Sequence, residues 1–337
     1  MKAAVFEKYG SADVIAVKDV PRPEIADNQI LVKVFATTVT TADWRIRASA
    51  FPGIMWLPGR LMMGLFAPKK KILGVEFSGR VVSVGDKVTR FRMGDAVFGF
   101  SGDGAHAEYV AIAEDGPVVP KPEAVGYDEA ASIPFGAVSA LVFLRDFAKI
   151  QPGHKVLVAG ASGGVGVYAV QLARHFGAEV TAVTSTANVD LVRSLGADHV
   201  VDYTQADYTR GGETYDIVID TAGTTTFGAA KRVLAKTGVF VPLEFGAREI
   251  RQALVSRMTG GPKVVIGVSG DSREDLAFLA PLMESGALRS VIDSRYPLGR
   301  IADAHRRVEG RHKTGAVVVT VAPTSVPAAV ESGIRAA

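Results

Sequence analysis

From residue 1 to about 122 the chain reads as short apolar runs broken by Gly, Pro and Asp. The segments "QILVKVFATTV" (29–39), "FSGRVVSVG" (77–85), "DAVFGF" (95–100) and "AHAEYVAI" (105–112) are rich in β-branched and aromatic residues, so this portion is predicted to be mostly β. Between about 123 and 265 the texture changes. Apolar strands "KVLVAG", "EVTAVT", "YDIVID" and "GVFVPL" alternate with the helical stretches "GVYAVQLARHFG" and "TANVDLVRSLG". Strands alternating with crossover helices predict a parallel sheet covered on both faces. In the first of those helices Val167, Val170, Leu172, Ala173 and Phe176 make one apolar stripe, and Gly177 supplies the stop.

Beyond 265 the pattern predicts a helix in "SREDLAFLAPLMESG" with Ser272 and Asp275 as its cap, a short helix around "IADAHRRVEG" and a strand in "GAVVVTVA". From Pro323 onward the chain reads as a loosely held tail. The alternating segment has β-rich sequence before it and a returning piece after it. Residues 1–122 plus 266–337 are therefore expected to form one domain, with 123–265 inserted as the other. The fold class is α/β, a doubly wound parallel sheet beside a β-rich domain, and the cleft between them is the expected ligand site.

A length of 337 residues suits two domains, and 48% hydrophobic with 22% charged residues is the balance of a soluble globular protein. The net charge of +3 is small. The short basic cluster Lys69-Lys70-Lys71 reads as a solvated turn, so no nucleic-acid partner is expected. With no cysteine, disulfides, thiolate catalysis, iron–sulfur clusters and Cys-ligated zinc are all excluded. The first residues begin as a strand, and no apolar run approaches the roughly 20 residues that cross a bilayer, so a cytoplasmic protein without a membrane partner is the expectation. The loop "FPGIMWLPGRLMMGLFAPKKK" (51–71) is rich in Met, Phe and Trp; it reads either as a flexible apolar lip over the cleft or as a loop packed on its own domain.

The candidate chemistry centres on "KVLVAGASGGVG" (155–166), a strand running into a glycine-rich turn. Gly160-Ala161-Ser162-Gly163-Gly164 fits G-x-S-x-G, the elbow that presents a nucleophilic serine, with Asp220 and His305 available as partners. Gly160, Gly163 and Gly166 also fit a turn whose backbone N–H groups hold a diphosphate at a helix N-terminus. The context favours the nucleotide. Lys155–Gly160 reads as the first strand of its sheet, and a second strand, Glu179–Thr184, arrives at βαβ spacing. That second strand ends in Val183-Thr184-Ser185-Thr186-Ala187-Asn188, without the acid that would bind an NAD ribose and repel a 2′-phosphate, so NADPH is favoured over NADH.

Together "VLVAGASGGVGVYAVQLARHFGAEV", "SLGADHVVDY", "YDIVIDTAG" and "GVEFSGRVVSVGDKVTRFRMGDAVFG" closely resemble the medium-chain dehydrogenase/reductase superfamily, in its zinc-independent quinone oxidoreductase-like branch, from residue 1 to about 320. The resemblance implies a GroES-like β-rich catalytic domain around a Rossmann domain, NADP(H) in the cleft, and a homodimer joined at a sheet edge near "KVVIGVSG". Zinc-dependent relatives use a Cys near "TTADW" and a His in Gly-His-Glu. Here the motif reads Gly74-Val75-Glu76 and there is no Cys. The histidines, His106, His154, His175, His199, His305 and His312, lack ligand spacing and read as surface or loop residues, so no metal is expected.

Hydride transfer to a plain ketone concentrates charge on one oxygen and calls for a Lewis acid or a placed proton donor. Without a metal, the expected acceptor is conjugated: a quinone or an α,β-unsaturated carbonyl. The resemblance puts Thr40, Asp43 and Trp44 in the catalytic cleft, with the Thr40 hydroxyl as a donor and a structural role as the alternative for Asp43 and Trp44. It implies cofactor contacts from Ser162, Gly163, Gly164 and Val165 at the turn, Ser139 at the nicotinamide ribose, and Ser185, Thr186 and Tyr203 at the adenosine end. Ala222 and Gly223 follow a strand end at the crevice and belong to the same set. Gly315-Ala316 stands where relatives carry Gly-Lys, which implies that this strand brings no cation to the cofactor. A different class of function, an NADPH-binding redox-sensing or structural protein with little catalysis, fits the missing donors.

Overall fold

A computed structural model describes residues 1–322, so the tail expected from Pro323 onward lies outside the described residues. The first segment supplies β1 (Lys2–Phe6), β2 (Ile15–Asp19), β3 (Gln29–Val39), α1 (Thr41–Ala48), α2 (Trp56–Met63), β4 (Glu76–Val84), β5 (Ala96–Phe100), β6 (Tyr109–Ala113) and β7 (Val118–Pro120). The middle adds α3 (Tyr127–Ala131), α4 (Pro134–Val142), β8 (Lys155–Ala159), α5 (Gly166–His175), β9 (Glu179–Thr184), α6 (Val189–Ser194) and β10 (His199–Asp202). It continues through β11 (Tyr215–Asp220), α7 (Phe227–Ala230), β12 (Leu234–Pro242), α8 (Ala247–Met258) and β13 (Lys263–Val264). The last elements are α9 (Arg273–Glu284), β14 (Ile292–Pro297), α10 (Ile301–Glu309) and β15 (Ala316–Thr320).

The apolar runs of the middle segment form a six-stranded sheet in the order β10-β9-β8-β11-β12-β13, every pair parallel. Val156, Leu157, Val158 and Ala159 are buried, as a strand covered by helices on both faces requires. The strand order reverses between β8 and β11, which opens a crevice beyond their carboxyl ends. In the β-rich part β15 pairs antiparallel with β3, Val317 opposite Val39, and β3 also carries β4 and β6. This pairing returns the chain to its first domain after the inserted one.

Ser272 caps α9 as its sequence predicts, its hydroxyl accepting the Asp275 N–H at 3.1 Å. α9, which follows the expected boundary at 265, packs both on α4 of the middle segment and on β7 of the first. Leu276, Leu279 and Met283 lie in one apolar cluster with Ala137, Leu141 and Tyr168, because the stripe on α9 needs a core to bury against. The stretch 51–71 is not a loop: Trp56–Met63 is helical, with Pro58 in the first turn where its missing N–H costs nothing. Among the described residues no helix is long and apolar enough to cross a membrane.

Candidate cofactor cleft and active site

β8 delivers the chain into the glycine turn, and α5 leaves it. Gly160 has φ +74°, and a Cβ there would meet that of Ala222 at 2.7 Å. Gly166, where α5 begins, lies so close to the strand end that a Cβ would come 2.1 Å from the Gly160 carbonyl oxygen. The two glycines let helix and strand press together, as the three-glycine pattern predicts. Ser162, Gly163, Gly164 and Val165 then line a cleft of about 660 Å³ at the strand-order reversal. The first N–H groups of a helix lack intrahelical partners, which gives this turn the donors an anion would need.

The cation absent from Gly315-Ala316 comes instead from two residues earlier. A Cβ on Gly164 would come 2.5 Å from Lys313 Nζ, so the ammonium lies on the turn, held there by a hydrogen bond to the Gly315 carbonyl. The Gly315 N–H donates to the Ser162 carbonyl at 2.9 Å and docks this returning segment on the turn. Burial lowers the Lys313 pKa to about 8, against the opposing pull of the Asp293 and Glu76 carboxylates. A half-buried cation beside free helix amides is a site that fits a diphosphate.

Where the adenosine end was expected, Ser185, Asn188 and Tyr203 line the cleft. Asn188 Nδ2 donates to Ser185 Oγ at 3.2 Å and its carbonyl accepts from Thr314 at 3.2 Å, which fixes that wall. Thr186 does not line it. Its hydroxyl turns to Asp202, at 2.5 Å, the carboxylate that ends β10. Thr204 and Gln205 also donate to Asp202, and these bonds hold its pKa below the usual carboxylate range.

Thr40 and Trp44 line the opposite wall, together with Thr38 and Glu76. Thr40 caps α1, and its hydroxyl donates to Asp43 Oδ2 at 2.6 Å, so its one proton is already committed. Asp43, expected in the cleft, is fully buried behind it. Its carboxylate accepts the N–H groups of Thr40 and Gly74 at 2.8 and 2.9 Å, which makes it a brace between α1 and the loop before β4. Ser139 also misses the cleft wall; its hydroxyl meets Ser269 at 3.1 Å. Glu76 was missed by sequence reasoning. Buried, it accepts from the Thr38 hydroxyl and from the Phe135 N–H at 2.6 Å near the start of α4, and burial pushes its pKa up to about 8.

Residues 26–123 match the alcohol dehydrogenase GroES-like domain, and residues 195–319 match the zinc-binding dehydrogenase domain. Over 335 residues the chain is 32% identical to a chloroplast envelope quinone oxidoreductase homolog of Arabidopsis thaliana, covering 95% of this chain and 98% of that protein. The chain belongs to the medium-chain dehydrogenase/reductase superfamily, in its quinone oxidoreductase-like branch. An NADPH-dependent alkenal/one oxidoreductase of the same plant is 31% identical, covering 96% of this chain and 80% of its own. The quinone oxidoreductase of Coxiella burnetii superposes with a TM-score of 0.84 at 29% identity, covering 96% of this chain and 99% of that one.

Within this family fold the hydrolase reading has no assembled triad. Ser162 Oγ accepts from Thr184 at 2.9 Å, and Asp220 is buried under the N–H groups of Ala222, Gly223 and Thr225 at 2.6–3.1 Å. His305 lies elsewhere, fully buried, and neither of its ring nitrogens has a hydrogen-bond partner. His106 is buried too, its Nε2 2.8 Å from the Thr38 carbonyl and its ring edge-on to His305 at 5.7 Å. Both had read as surface or loop residues. Burial in the core keeps His305 far below its ordinary pKa. Across the cleft mouth Glu244 is shared by Arg45 at 2.9 Å and Arg311 at 2.8 Å, and Arg311 also donates to the Ala222 carbonyl at 2.9 Å.

Proposed function

We propose that the protein is an NADPH-dependent reductase that passes hydride to a quinone or to the activated C=C bond of an α,β-unsaturated carbonyl. The observation that carries this reading is the Lys313 ammonium lying on the glycine turn of a doubly wound sheet. Bound there, NADPH supplies the hydride. The turn from Ser162 to Val165 and Lys313 would hold its diphosphate, Ala222 and Gly223 the crevice between β8 and β11, and Ser185, Asn188 and Tyr203 the adenosine end. Thr38, Thr40, Trp44 and Glu76 would shape the acceptor's side of the cleft, with Glu76 neutral up to about pH 8. A neutral carboxyl there avoids repelling negative charge that develops on the acceptor oxygen. The likeness to the plant quinone oxidoreductase homolog and alkenal/one oxidoreductase supports the acceptor class.

The committed Thr40 proton favours a second reading, an NADPH-binding protein with little catalysis. Oxidation of NADPH against a panel of quinones and enones separates the two, with NADH and an ester as controls. Tight NADPH binding without turnover of any acceptor supports the second. The proposal includes a homodimer joined beside β13, the sheet edge, where Leu254, Val255, Met258 and Val268 are exposed.

A further inference from the structure

Residues 54–66 expose an apolar surface that no part of the described chain covers. Trp56, Leu57, Leu61, Met62, Leu65 and Phe66 are all exposed, Phe66 to 90%. Singly exposed apolar residues are ordinary, whereas a contiguous set on one element marks a contact surface. The element that bears them is firmly seated. Gly59 packs on Phe51, the Tyr9 hydroxyl donates to the Gly64 carbonyl at 2.8 Å, and the Arg60 guanidinium lies 3.9 Å over the Tyr9 ring. None of these exposed side chains lines the cofactor cleft, so of the two readings of this stretch the lip over that cleft is not formed.

Charge decides what covers the patch. Between Ser49 and Val75 the chain carries Arg60, Lys69, Lys70 and Lys71 and no acid. The three lysines are exposed; Lys70 has a loose pairing with Asp103 at 3.4 Å. A second copy meeting this patch across a two-fold axis would bring two such lysine clusters together, and like charges there oppose association. A surface that is apolar at its centre and negatively charged at its border complements it. We propose that α2 and the lysine run dock the protein on an anionic lipid bilayer, with the apolar side chains entering the headgroup boundary and the lysines on lipid phosphates. Such peripheral seating needs no spanning helix, and it does not depend on the reduction proposed above.

The test is flotation of the full-length protein with vesicles of phosphatidylcholine, alone or mixed with phosphatidylglycerol. Binding to the mixed vesicles at low salt, weak binding to phosphatidylcholine alone, and release near 1 M salt, where screening shortens to about 3 Å, are expected. Trp56 is one of two tryptophans in the chain and exposed, so its emission should shift to the blue on the mixed vesicles. Replacing the three lysines by Glu should weaken partitioning by roughly a hundredfold or more, since each contributes about a factor of five. Met62→Asp with Phe66→Asp should do likewise, and both variants should keep their melting temperature and their rate with a water-soluble quinone. Failure of the unaltered protein to float with anionic vesicles overturns the proposal. So does undiminished floating of the lysine variant, or a sedimentation shift to a smaller species in the Met62→Asp, Phe66→Asp protein, which would assign the patch to a second copy.

Discussion

Lys313→Met removes the ammonium that lies on the glycine turn while keeping most of the length of the side chain. In the free protein burial brings the Lys313 pKa from 10.5 to about 8. A diphosphate placed on that ammonium would favour its charged form and return it toward the ordinary value. Full restoration spans about 2.5 pH units, which at roughly 1.36 kcal/mol each caps the coupling at about 3.4 kcal/mol, roughly 300-fold in affinity. Charge-assisted hydrogen bonds contribute about 1.5–3 kcal/mol, so the Met variant is expected to raise the Kd for NADPH roughly 10- to 100-fold at neutral pH. The pH dependence has a definite sign. Affinity is fully present below about pH 8 and falls by up to tenfold per unit above it, because the free protein must take up a proton to bind. Enhancement of NADPH fluorescence, titrated from about pH 7 to pH 10, reads both quantities. A Met variant that binds within about twofold of the parent, with the parent's pH profile, refutes the assignment of Lys313 to the diphosphate.

At Gly166 an alanine would press its Cβ on backbone atoms, 2.1 Å from the Gly160 oxygen and 2.8 Å from Ala161 Cα. A loss of about 1–3 kcal/mol in stability is expected, together with weaker NADPH binding, by thermal melting and fluorescence titration. Gly164→Ala meets the tip of Lys313, which can swing aside, and the Gly315 carbonyl oxygen at 3.3 Å, a far milder contact than at Gly166, so it should lose much less melting temperature than Gly166→Ala while losing cofactor affinity; matching melts for the two variants would contradict this. Glu76 holds its proton to about 8 when folded against an ordinary 4.5, so its stabilising contribution is complete below 4.5 and is lost as the pH rises through about 8. Glu76→Gln should flatten that slope in melting curves taken between about pH 5 and pH 9, and a slope equal to the parent's would refute burial as its cause. Ser185→Asp should weaken NADPH more than NADH in paired titrations, since a new carboxylate repels a 2′-phosphate and accepts from a ribose hydroxyl; equal weakening would place the 2′-phosphate elsewhere.

The strands around the turn and the turn itself were legible because each rests on local pattern: apolar runs of strand length, glycines where side chains cannot fit, and a helix stripe that needs one buried face. The capped start of α9 was legible for the same reason. Its packing partner was not, since Leu276 and Leu279 announce a buried face without naming the core that receives it. Lys313 sits in "GRHKTGAVV", a polar lead-in with no motif, and reaches the turn only because the segment ahead of β15 docks on Ser162. The fate of Thr40 and Asp43 did have a signal, the T-x-x-D spacing at the head of a helix. That capping box consumes the hydroxyl that the family resemblance offered to substrate. The buried His106 and His305 had none, because two histidines 199 positions apart meet only through tertiary packing.

The pairing of β15 with β3 sets an order of assembly. A ribosome releases β3 long before β15, and the whole inserted domain emerges between them. Domains fold as units during synthesis, so the inserted one can close its parallel sheet while the β-rich one still waits for its returning strand. Lys313 and Gly315 travel just ahead of that strand. A nascent or prematurely terminated chain can therefore own a finished nucleotide fold and still lack the ammonium on its turn, so that firm possession of the dinucleotide would report that synthesis had passed this segment.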